Sequence, residues 1–146
     1  MSIASIVSAL QTAHLTISGV KTAPTAYPSV LNTATMPIVL VWPEAAEWDM
    51  AALGFYRRKR VYRVTCFLDP TAQGKAGAGD PYVTLSTMLD AFGVKYLTDP
   101  TLRGVVDTMT ALSDSGVTAG GEDLVWGAIP YWGFTFRLSI VEKTSS

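Results

Sequence analysis

This chain has few of the residues that perform chemistry: one histidine and one cysteine in 146 residues. The lone Cys66 excludes an intrachain disulfide, and with only His14 beside it there is no Cys/His metal centre. A reducing compartment is the natural expectation. Charge is also scarce. Charged residues make up 16% of the chain, against about a quarter in an ordinary soluble domain. A formal net charge of -1 gives no global pull toward nucleic acid or an anionic membrane. Long apolar runs are missing too. The stretch from Ile38 to Pro43 is far too short to span a bilayer. The start, Met1-Ser2-Ile3-Ala4-Ser5-Ile6, lacks the basic region of a signal peptide, so synthesis in the cytoplasm is expected.

What is present is apolar and aromatic. Four Trp, six Tyr and five Phe accompany a mean hydropathy of +0.27. The length fits one domain, residues 1–146, with a proper core. So little charge implies that part of the surface is covered by other chains; a monomer with a Ser/Thr-dominated surface is the alternative.

Periodicity outlines the elements. Ile3, Ile6, Val7 and Leu10 form one stripe of a short helix that Gly19 must end. Lys21 to Ser29, with Pro24 and Pro28, reads as an extended crossing segment. Met36 to Trp42 reads as an apolar strand with Pro37 at its start. Pro43 to Met50 carries Glu44, Glu47 and Asp49 and reads as an acidic loop. A long strand follows from Phe55 to Leu68, with Tyr62, Val64, Cys66 and Leu68 on one face. Asp69 to Gly79 reads as a flexible connection. Asp80 then caps a helix whose buried stripe is Tyr82, Leu85, Met88, Leu89 and Phe92, with Gly93 at its end. Strands are expected over Val105–Leu112 and Leu124–Ile129. The alternation of Phe134, Phe136, Leu138 and Ile140 marks a half-buried last strand. Hairpin-length connections predict an α+β fold, mainly an antiparallel sheet with two helices packed on one face.

The search for chemistry yields little. His14, at the end of an amphipathic helix, reads as a surface or boundary residue without a nucleophile or carboxylate at workable spacing. There is no Gly-x-Ser-x-Gly elbow. Cys66 sits on the apolar side of its strand and reads as core. The segment Gly74, Lys75, Ala76, Gly77, Ala78, Gly79 lacks the Ser or Thr after Lys and the earlier Gly of a phosphate loop. It reads as a flexible loop for partner contact. No cofactor or metal is implied.

One cluster stands out: Arg57, Arg58, Lys59 and Arg60, with Arg63 beyond. Both faces of this strand start are cationic, so neither can be core. The strand is expected to project past the sheet, toward solvent, nucleic acid or a protein partner. Glu44, Glu47 and Asp49 supply a complement, and the two runs together are the candidate subunit interface.

The layout of the chain resembles the tail terminator proteins of long-tailed bacteriophages, λ-type. The resemblance is carried by the short first helix and Tyr27-Pro28. It continues through the strand Met36-Pro37-Ile38-Val39-Leu40-Val41 and the Arg-bearing strand Arg60 to Leu68. The helix with Leu89-Asp90-Ala91-Phe92, the corner Asp99-Pro100-Thr101-Leu102-Arg103-Gly104 and the closing Tyr131-Trp132-Gly133-Phe134 complete it. It covers about Ile3 to Val141 and rests on layout rather than an invariant signature. It implies a homo-oligomeric ring, usually a hexamer, that caps the major tail tube protein and stops polymerisation. The ring would dock the head–tail connector or neck protein and let DNA pass through its lumen. It also implies a virion location after assembly in the host cytoplasm, no membrane and no catalytic residue. A neck or head-completion protein, and a small ligand-binding or enzymatic domain, are the competing readings.

Overall fold

The computed structural model describes residues 3–28, 31, 33–52, 55–70, 81–106, 108–111, 122–126 and 129–145. In chain order these form α1 (Ile3–Leu15), a 3-10 turn (Thr33–Thr35), β1 (Ile38–Ala52), β2 (Phe55–Pro70), α2 (Pro81–Thr98), β3 (Thr108–Ala111), β4 (Glu122–Trp126) and β5 (Ile129–Ser145). The strands make one five-stranded sheet in the order β1-β2-β5-β3, with β4 also paired to β5, and every ladder is antiparallel. β3 pairs with the Leu138–Val141 part of β5 and β4 with its Ile129–Gly133 part, so the two share one edge. The fold is α+β, with both helices on one face of the sheet.

Strand alternation explains that face. Val39 and Val41 of β1, Tyr62, Val64, Cys66 and Leu68 of β2, and Phe134, Phe136, Leu138 and Ile140 of β5 all turn toward the helices. They meet Ile6, Val7 and Leu10 of α1 and Met88, Phe92 and Tyr96 of α2 in one core. Phe92 is its centre, 5.1 Å from the ring of Phe134 and 6.1 Å from that of Phe136.

The other face carries a smaller apolar cluster of Leu31, Met36, Ile38, Leu40, Phe67 and Tyr131. The crossing segment runs along the edge of β1. Thr22 bridges Ile38 in parallel, Val39 N–H donates to Thr22 O at 3.0 Å, and the Thr22 hydroxyl donates to Thr35 O at 2.7 Å. These bonds close part of the β1 edge, and the Tyr27 hydroxyl closes more by donating to Val41 O.

Several expectations are corrected. Pro43 to Met50 is not a loop: β1 runs on to Ala52, with register shifts between Pro43 and Ala46 and between Asp49 and Ala52. Gly93 does not end α2, which continues to Thr98. Burial of Tyr96 in the core outweighs the cost of one helical glycine, about 1 kcal/mol. The expected Val105–Leu112 strand shrinks to Thr108–Ala111, because 101–106 is a turn. The expected Leu124–Ile129 strand is β4, which ends at Trp126, and Ile129 already begins β5. Asp80 and the side chains of Tyr82 and Leu85 lie outside the described residues. So do Gly74, Lys75, Gly77 and Gly79 of the expected contact loop.

Candidate subunit interface

The β1–β2 hairpin decides what the two charged runs do. Its register sets Glu47 opposite Lys59, Trp48 opposite Arg58 and Asp49 opposite Arg57. The acidic and basic runs therefore lie side by side along one hairpin. The basic run is also no projecting end. β2 is an interior strand, paired to β1 and to β5 from Phe55 onward. The cause is geometric: a short connection joins two long strands, so antiparallel pairing brings sequence neighbours face to face. Arg60, opposite Ile140, lies on the helix side of the sheet, where its Nε is buried without a hydrogen-bond partner among the described residues.

The Glu44 carboxylate is bonded within the chain. Its Oε2 accepts from Arg137 Nε at 3.2 Å and from Arg137 Nη2 at 3.1 Å. Its Oε1 lies 3.8 Å from Arg63 Nε. Arg63 and Arg137 are register partners on the face away from the helices, and Trp42 is the partner of Arg63 on its other side. Trp42 is half-exposed and touches the ring of Tyr27 at 4.8 Å between centroids. This open-face patch combines an aromatic pair with two guanidiniums that share one carboxylate.

On the helix side, His14 is fully buried rather than at the boundary. Gln11 Nε2 donates to Pro24 O at 2.7 Å and to Val39 O at 2.8 Å. With both amide hydrogens used, Gln11 Oε1 can only accept, so His14 Nδ1 carries the proton shared over 2.9 Å. His14 Nε2 is then the acceptor for the Tyr96 hydroxyl at 2.8 Å. Burial, and secondarily the Lys95 charge, push the His14 pKa down to about 3. This neutral network joins α1, α2, the crossing segment and β1. Sequence reading missed Gln11 and Tyr96, although His14 continues the helical stripe of Ile6 and Leu10 at a spacing of one turn. Burial likewise pushes the Cys66 thiol up, away from the thiolate form a nucleophile needs. Among the described residues no three His, Cys, Asp or Glu side chains gather in a way that could hold a metal ion.

The corner after α2 is left-handed through three residues: Leu102, Arg103 and Gly104 have φ of 49°, 57° and 86°. Asp99 Oδ1 accepts from Arg103 N–H at 2.9 Å, and Thr101 O accepts from Gly104 and Val106 N–H, each at 3.0 Å. The reversal buries Leu102 and leaves Arg103 exposed beside a cleft of about 210 Å³ between α1 and the corner.

No protein-family model matches this chain, and no curated protein matches it at a significant level. No helix among the described residues is long and apolar enough to cross a membrane.

Proposed function

We propose that this chain is a structural protein of a tailed bacteriophage, a ring-forming terminator that caps the tail tube and provides the surface for joining the head. The observation that carries the reading is the order of elements. A short helix, an apolar strand, a long Arg-bearing strand, a helix, a left-handed Asp-Pro-Thr-Leu-Arg-Gly corner and a closing aromatic strand follow one another. The mechanism is occupancy: a ring on the growing end of the tube denies the next tube layer its seat. The function is one of binding rather than catalysis. Its support is that His14 and Cys66 are sealed in the core, His14 neutral and Cys66 protonated.

The test is a phage deleted for this protein. Tails are expected to overgrow or to fail to join heads, as read by electron microscopy of lysates. Normal tail lengths with normal joining would remove the reading. Tails of correct length that remain headless would favour the neck or head-completion reading.

A further inference from the structure

Glu44 is held within the chain by Arg137, and the acidic and basic runs lie in adjacent strands of one hairpin. A ring closes through one contact repeated around its axis, so each copy must carry two different patches. Among the described residues, the exposed large apolar side chains divide into two such groups. Leu97, Val94 and Leu15, exposed by 82%, 58% and 53%, lie on the helix layer. Trp42 and Tyr27, exposed by 47% and 40%, lie at the open face of the sheet near the β1 edge.

We infer that the outward stripe Asp90, Val94 and Leu97 of α2 docks on the Tyr27, Trp42 and Arg63 patch of a second copy. This rests on the ring reading above.

Asp90, Val94 and Leu97 stand at i, i+4 and i+7, opposite the buried stripe of Met88, Phe92 and Tyr96. Asp90 is exposed and has no ion-pair partner among the described residues. Val94 lines a shallow groove with Thr16, Ile17 and Ser18, and Leu15 adjoins it from the end of α1. Lys95 lines the inner side of the same groove, while the other patch carries a cation placed to meet Asp90. Glu44 accepts two hydrogen bonds from Arg137 and makes only a 3.8 Å contact with Arg63, so the two guanidiniums share one carboxylate and a cation is left over beside Trp42. Apolar surface thus faces apolar surface, and Asp90 faces Arg63. A patch docked on itself would bring two like charges, two copies of Asp90 or of Arg63, into one interface, which the heterologous contact avoids. The apolar contacts supply affinity and the ion pair sets register.

The test is sedimentation of the purified full chain at low salt, with far-ultraviolet circular dichroism and melting temperature as controls of folding. Asp90→Arg and Arg63→Asp are each expected to weaken self-association by at least about tenfold, because each juxtaposes like charges. In the double variant every contact carries the swapped pair, so assembly is expected to recover to within about threefold of the parent. Leu97→Glu, at the most exposed apolar position, is expected to abolish assembly with the fold unchanged. Single variants that assemble like the parent, a double variant that does not recover, or a parent that stays monomeric would each overturn the interface. Tail length in the deletion phage is a separate readout. Normal tails would remove the terminator reading even if the charge swap behaves as expected.

Discussion

At the scale of single residues, the buried network makes stability depend on pH. His14 is neutral in the fold, with a pKa lowered to about 3, and titrates near 6.5 when the chain is unfolded. Between those values the unfolded chain binds the extra proton, so stability is lost as pH falls below about 6. Above about 6.5 His14 contributes no slope. The loss is about 1.4 kcal/mol per pH unit. In urea unfolding, the stability difference between the parent and His14→Gln is therefore expected to shrink by that amount per unit from pH 6 to pH 4. A constant difference would mean that His14 is charged in the fold. Gly19 makes a different demand. Its φ is +99°, and an added Cβ would stand 2.8 Å from Met88 Sδ. Gly19→Ala is expected to cost about 1–2 kcal/mol in the same assay, mostly from the left-handed backbone, since the Met88 side chain can shift.

At the scale of elements, α2 and its corner show how tertiary contact overrides a local stop signal. Gly93 sits mid-helix, and a Cβ added there would meet nothing within 4 Å. Gly93→Ala is accordingly expected to raise stability by about 0.5–1 kcal/mol, seen as a higher melting temperature. An unchanged or lower value would mean that the helix needs the glycine. The helix stops after Thr98 instead. Asp99 there opens the left-handed corner, and Leu102 is drawn under it into the core. The β1–β2 hairpin shows the same dominance of long-range pairing, because an acidic segment with the composition of a loop is held as strand by its partner.

At the scale of the whole molecule, two apolar clusters lie on opposite faces of one sheet, with neighbouring residues of β1 and β2 feeding both. Two cores that share strands should unfold together. Phe92→Ala on the helix side is expected to cost about 3–5 kcal/mol. Phe67→Ala, in the smaller cluster where its ring lies 5.6 Å from that of Tyr131, is expected to cost less. Both should lower one cooperative transition, which calorimetry would report as a single peak. Two separable transitions would end the expectation of a single domain over residues 1–146. The scarcity of charge also acts at this scale. With 16% charged residues and apolar side chains exposed on both layers, the molecule has surface that self-association would cover.

The amino-acid sequence by itself determined which side of each element is apolar. The stripe of Ile6, Val7 and Leu10 was legible because burial selects residues individually, at the period of the helix. The alternations of Tyr62 to Leu68 and of Phe134 to Ile140 were legible for the same reason, at the period of a strand. The α+β class followed from those patterns and the connection lengths. Tertiary structure alone decided who faces whom. The opposition of Glu47 to Lys59, the bonding of Arg137 to Glu44 across 93 positions, and the closure of His14 against Tyr96 across 82 depend on register and packing between distant segments. Such pairings leave no periodic trace. A charge or imidazole in a sequence shows what a residue can bond, whereas only the folded backbone determines what stands within 3 Å of it.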